Sequence, residues 1–143
     1  MKDLSKMSTK FHKFAHIMQT NKYLKAISEG LMSTLPLLLL GSLSLLLGVI
    51  PIKPWQSLIT QTEIKKILLL PNSLATGCLS LYVSFLVAYK LSRNFDEDGL
   101  LPGIVSIFNF LLVTPMVTTE EGSMISMNWL GVQGLFTALI VGL

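Results

Sequence analysis

The sequence predicts an all-α integral membrane protein, with about four transmembrane helices preceded by an amphipathic N-terminal helix. Three observations predict it. Only 13% of the residues are charged and 51% are hydrophobic, where a soluble domain carries about a quarter charged residues. The charges are segregated, because residues 31–51, 67–89, 99–119 and 122–143 contain no Asp, Glu, Lys, Arg or His. Each of those stretches also has spanning length, since a helix rising about 1.5 Å per residue crosses a core of about 30 Å in roughly 20 residues.

Residues 1–30 form the first unit, a basic segment expected in the cytoplasm. Lys2, Lys6, Lys10, Lys13, Lys22 and Lys25 face only Asp3 and Glu29. Phe11, Phe14, Ala15 and Met18 recur at i, i+3, i+4 and i+7, which makes one apolar stripe on a helix. Such a helix either lies on an anionic inner leaflet or packs its stripe on neighbouring helices as a positive flank. His12 and His16 share a face at a spacing able to bind metal. No third ligand accompanies them, and they read as a surface pair.

Residues 31–143 form the transmembrane unit, with spans expected over about 31–50, 69–89, 99–118 and 128–143. The first holds ten leucines, which favour insertion by about 3 to 6 kcal/mol at roughly −0.3 to −0.6 kcal/mol each. The runs Leu37 to Leu40 and Leu45 to Leu47 do not alternate in polarity. Barrel strands would alternate over about ten residues, so helices are expected. Pro51 and Pro54 end the first span, because proline cannot continue a helix interior. Residues 94–99 read as a polar hairpin between the second and third spans. Trp55 and Trp129 suit the outer interface, where amphipathic rings collect. Pro36, Pro71, Pro102 and Pro115 are candidate kinks. Gly131, Gly134, Ala138 and Gly142 give small residues at close to helical spacing, which permits close helix approach. The last span ends at Leu143 without a charged flank, as a chain cut within a helix would.

Orientation follows from the Lys and Arg count. With the N-terminus inside, the inner side collects eight basic residues and the outer side three, Lys53, Lys65 and Lys66. A multi-pass protein of the plasma membrane with a cytoplasmic N-terminus is expected. The first apolar run starts only near residue 31, after a long basic lead, and exceeds the h-region of a secretory signal peptide.

No catalytic residue stands out. The chain has no phosphate loop, no Cys/His cluster and no nucleophile elbow, and no span carries an ionisable group of the kind that marks ion or proton paths. No metal or cofactor is expected, and the substrate-binding residues are unknown at this stage. Asp96, Glu97 and Asp98 read as a solvated loop, as do Glu120 and Glu121. Cys78 is a lone cysteine inside a span and reads as a small packing residue. The pI near 9.1 points to the bilayer surface and not to nucleic acid, because the basic residues flank the spans.

One segment carries a resemblance. Residues 23–37, YLKAISEGLMSTLPL, lead through leucines to Gly41 and Ser42. This resembles the N-terminal signature of the membrane subunit, enzyme IIC, of the bacterial sugar phosphotransferase system, lactose/cellobiose class. Residues 99–115 and the run LGVQGLFTALIV from Leu130 are similar to later pieces of that family, in the same order. Where the family often has Arg before an acidic residue, this chain has Ser28 before Glu29.

The resemblance covers the first third of such a permease, whether as a fragment, a split gene product or a truncated remnant. It implies phosphoenolpyruvate-dependent uptake of a disaccharide such as cellobiose or lactose, coupled to phosphorylation. It implies cytoplasmic sugar-phosphorylating subunits as partners, and a homodimer or a pairing with the remaining permease. In the family the sugar site lies mainly in the later half, so this chain would supply the interface half and lack that site. Two alternatives stand beside it. One is a small non-catalytic membrane interaction protein that pairs with a permease; the other is a holin-like oligomer, for which the spans lack a polar stripe.

Overall fold

A computed structural model describes residues 20–55, 57, 64–119 and 122–143. The stripe Phe11, Phe14, Ala15 and Met18, the pair His12 and His16, and Glu120 with Glu121 lie outside the described residues.

Helix α1 spans Lys22–Val49. Asn21 caps it, with its side-chain oxygen accepting from the Tyr23 N–H at 3.0 Å, which satisfies one orphan donor of the first turn. Its 28 residues extend about 42 Å. The expected boundary at residue 30 therefore falls inside one continuous helix. Pro36 is accommodated within it. The helix stops before Pro51, and Trp55 folds back so that its Nε1 donates to the Leu47 carbonyl at 2.9 Å.

The burial pattern of α1 is the reverse of that in a soluble helix. Its buried residues are Ala26, Gly30, Thr34, Gly41, Ser44 and Gly48, all small. The outer face is leucine: Leu39 is 67% exposed and Leu46 63%. Only 22% of its most apolar 18-residue window is buried, where the core helix of a water-soluble protein would be mostly buried. A helix that buries its small residues and exposes its large apolar ones is at equilibrium in hydrocarbon, where close approach of backbones drives packing.

Helices α2 (Ile64–Gly77) and α3 (Leu79–Asn94) follow. They join at Cys78 with a bend of 51° and together have the length and apolarity of one broken span. The bend is not at Pro71, which lies inside α2. It falls where the hydrogen-bond ladder restarts: the Cys78 N–H closes on Leu74, and the Cys78 carbonyl then accepts from Leu81 and Tyr82.

Helix α4 covers Leu100–Val113, and the expected span over about 99–118 is shortened accordingly. Thr114 leaves the helical region at ψ 128, as the residue before a proline does, and Pro115 ends the helix. The chain then makes an antiparallel hairpin, β1 (Met116–Thr119) and β2 (Gly122–Ile125), with Met116 opposite Ile125 and Thr119 opposite Gly122. The fold class is helical apart from this hairpin. The stretch expected as a span over about 128–143 is broken as well, into α5 (Met127–Leu130), a 3-10 turn (Val132–Gly134) and α6 (Leu135–Val141).

One helix among the described residues is long and apolar enough to cross a membrane by itself, and the α2–α3 pair qualifies as a broken span. The α4 helix and the Val132–Val141 segment are apolar but shorter. The core is small: Val83, Val87, Phe110 and Ala138 are fully buried, where α3, α4 and α6 converge.

Candidate functional site

The packing seams are where this chain concentrates its polar and glycine chemistry. Along α1 a Cβ on Gly30 would stand 2.7 Å from Val87 Cγ2 of α3. On Gly41 it would stand 2.8 Å from the Ala75 Cβ of α2, and on Gly48 2.7 Å from Leu69 Cδ2. These three glycines let α1 lie directly on both halves of the broken span. Ser44 adds a hydrogen bond from its hydroxyl to the Leu68 carbonyl of α2.

The α3–α4 seam repeats the logic with hydroxyls. Ser84 and Ser106 are buried with their Oγ atoms 2.6 Å apart. Ser84 Oγ also donates to the Ser106 carbonyl at 3.2 Å, and Ser106 Oγ to the Ser84 carbonyl at 3.0 Å. No buried side-chain polar atom among the described residues lacks a partner, as a water-free interior demands.

Two chain breaks meet at one level of the bundle. The bend at Cys78 lies against the break after α5, where the Ser80 hydroxyl donates to the Gly131 carbonyl. A Cβ on Gly131 would stand 3.0 Å from the Thr76 carbonyl oxygen. The small residues singled out in the sequence follow the seam from this level along the bundle: Gly131 on α2, Gly134 on Phe110, and Gly142 against the Ser84 carbonyl and Val87. Discontinuous helices that face each other are the usual way in which transporters place backbone dipoles within a membrane.

The charged residues gather at the helix ends. Lys22 Nζ sits 4.3 Å from the centroid of the Phe95 ring, and Tyr23 meets the same ring edge-on at 6.0 Å. Asn94 Nδ2 donates to the Lys22 carbonyl at 3.2 Å. The start of α1 and the α3–α4 loop are thereby held at one end of the bundle. Asp96 and Glu97 are exposed, while Asp98 accepts from the Leu100 N–H at 3.2 Å and starts α4. The acidic trio behaves as a solvated turn. Lys25 and Glu29 make an exposed i,i+4 pair at 3.8 Å, which contributes at most about 0.5 kcal/mol. Among the described residues no group of three or more His, Cys, Asp or Glu gathers to hold a metal. Cys78 is half-buried at the bend.

The serine seam was missed in the sequence reading, although Ser80 and Ser84 at i, i+4 gave the signal: two hydroxyls on one face of an apolar segment. The Lys22–Phe95 contact carried no local signal, since its partners are 73 positions apart in the chain.

A family model described as "Phosphotransferase system, EIIC" matches residues 28–143. The chain belongs to the EIIC family of the phosphotransferase system. Within that family it is 34% identical over 135 residues to the cellobiose-specific EIIC component of Geobacillus stearothermophilus, covering 85% of this chain and 30% of that protein. It is 29% identical, with the same shares covered, to the lichenan permease IIC component of Bacillus subtilis (strain 168). Among solved structures it matches the transporter ChbC, the IIC component of the N,N'-diacetylchitobiose-specific phosphotransferase system. That match has a TM-score of 0.77 and 28% identity, covering 92% of this chain and 33% of ChbC. This EIIC chain thus spans about a third of the length of the EIIC relatives it matches.

Proposed function

We propose that this chain is the N-terminal third of an EIIC sugar permease of the cellobiose/lactose type. The permease takes up a disaccharide across the plasma membrane, and phosphoenolpyruvate-dependent cytoplasmic subunits phosphorylate it. The chain supplies the packing half of that permease, and the sugar-contacting residues come from the part beyond it. One observation carries the reading: the similarity to sugar-specific EIIC components runs through 85% of this chain while covering 30% of theirs. The seams support the division of labour. Among the described residues every buried polar side chain bonds backbone or another hydroxyl within the bundle, and no charged side chain is buried there to grip a sugar or move a proton.

The membrane topology belongs to the same proposal. Four crossings, with the bent α2–α3 pair as the second, put residues 1–30 and the α3–α4 loop in the cytoplasm. That side then carries the eight basic residues, in keeping with the preference of Lys and Arg for cytoplasmic loops.

Uptake of labelled cellobiose and lactose tests the function. Cells expressing the chain alone are expected to show only background accumulation. Cells that also express its genomic neighbours are expected to accumulate phosphorylated sugar. Sugar phosphate formed with the chain alone would refute the division of labour. No gain from the neighbours, in a strain supplied with the soluble phosphotransferase proteins, would favour a non-catalytic interaction protein.

A further inference from the structure

Helix α4 uses one face and leaves the other bare. Gly103, Ser106 and Phe110 are buried against α3 and α6. The outer face carries Leu101, Ile104, Val105, Phe108, Leu112 and Val113, each between 52% and 70% exposed. In the middle of that face stands Asn109, also exposed. Only two residues of α4 have polar side chains, Ser106 and Asn109. Ser106 is fully engaged with Ser84, whereas the Asn109 amide has no hydrogen-bond partner among the described residues.

Depth makes this arrangement costly. Asn109 lies nine residues after Leu100, at the charged-loop end of α4, so it is about 14 Å along the helix, close to half of a hydrocarbon core of about 30 Å. A primary amide has two N–H donors and a carbonyl acceptor. Thr34 and Thr114 settle their hydroxyls on their own helix backbone, whereas the Asn109 amide makes no such bond among the described residues. Val105, Leu112 and Val113, its neighbours at i−4, i+3 and i+4 on the exposed face, have nothing to offer it. An amide at that depth is satisfied by another helix or it destabilises the insertion of α4.

We infer that the outer face of α4, centred on Asn109, seats a membrane helix from the remaining two thirds of the permease, and that this helix presents a polar side chain or a freed backbone carbonyl to the Asn109 amide. The inference rests on the permease reading above. The occupant follows from the chain length: the relatives carry more than twice as much sequence again beyond the matched third. Among the described residues α4 packs chiefly on α3 and α6.

The test uses the full chain with an affinity tag. It is co-expressed in bacterial membranes with the part of the Geobacillus stearothermophilus cellobiose-specific component that it does not match, and purified in mild detergent. Wild-type chain is expected to retain that part. Asn109→Leu, which suits an apolar helix face, is expected to lower retention by roughly three- to thirtyfold, the range of interhelical hydrogen bonds in membranes. Asn109→Gln keeps the amide and is expected to restore most of it. Equal retention by wild type and Asn109→Leu overturns the inference while leaving the permease reading standing. Loss of self-association in Asn109→Leu, with retention unchanged, assigns the face to a second copy and also overturns it. Failure of the wild-type chain itself to retain the complementary part sinks both readings. A spin label at Leu112, one turn from Asn109 on the same exposed face, in a Cys78→Ala background, gives an independent readout. Its mobility is expected to fall when the complementary part is added, and that of a label at Leu40 is not.

Discussion

Ser84 and Ser106 face each other across the α3–α4 seam with three contacts between them, and that redundancy sets what mutation will do. In Ser84→Ala the Ser106 hydroxyl keeps the Ser84 carbonyl, and in Ser106→Ala the Ser84 hydroxyl keeps the Ser106 carbonyl. Each single variant is expected to lose about 0.6 kcal/mol, the average for such bonds, and the double variant up to about 1.7 kcal/mol. Reversible unfolding in detergent, analysed as a double-mutant cycle, measures the coupling. Gly30 has no such slack. A Cβ there lies 2.7 Å from Val87 Cγ2 and 3.1 Å from the Val87 backbone N and Cα, and backbone atoms do not rotate aside. Gly30→Val is expected to cost about 1–3 kcal/mol, as overpacking does, and so to exceed Ser84→Ala in the same assay. The opposite order would mean that hydroxyl bonds and not close backbone approach hold the bundle.

At the scale of elements, the break between α5 and α6 depends on Gly134. Its backbone is in an ordinary region, φ −84 and ψ 3, so space and not conformation demands glycine. A Cβ would overlap the Trp129 carbonyl oxygen, a fixed obstacle. A Cβ on Gly103, by contrast, would stand 2.6 Å from Phe85 Cε2, and a ring can turn. Gly134→Ala is therefore expected to lower thermal stability in detergent by more than Gly103→Ala; equal losses would show that the 3-10 turn adapts. The same element shows what the sequence disclosed. Among the described residues the uncharged stretches overlap the bodies of α1 to α4 and the α5–α6 segment, because charge is excluded from hydrocarbon wherever a chain crosses it. The small-residue series Gly131, Gly134, Ala138 and Gly142 disclosed a packing edge. Helix ends and breaks were not legible from apolarity. Residues 116–119 and 122–125 carry no charge, as a span would, so only Pro115 marked the change from helix to strand. The bend at Cys78 is a tertiary feature: the Ser80 hydroxyl bonds the Gly131 carbonyl from another part of the chain, while Pro71 and Pro36 stay within helices because a missing N–H alone does not break a packed span.

For the molecule as a whole, the contact of Lys22 with Phe95 turns topology into a sharp prediction. Two residues 4.3 Å apart cannot lie on opposite sides of a bilayer. The start of α1 and the α3–α4 loop must share a side, which requires an even number of crossings between them; in the proposed topology α1 and the bent α2–α3 pair are those two. In that topology α4 runs away from that side, and the end of β1 is expected on the other. Which side is cytoplasmic depends on charge, and in the proposed topology eight basic residues against three favour a cytoplasmic start of α1. Side-specific reporters at the N-terminus, after Asp96 and after Thr119 are expected to read inside, inside and outside. Replacing Lys22, Lys25, Lys90 and Arg93 by Gln leaves four basic residues on the inner side against three outside, and is expected to yield a mixture of orientations in which the first two reporters still move together. Should the first two reporters separate in the wild-type chain, the bundle is wrong. Should all three invert together, the bundle stands and only the charge argument fails. The leucine face of α1 sharpens the contrast, because it has no reason to remain exposed in water, and the arrangement is expected to persist only in lipid or detergent.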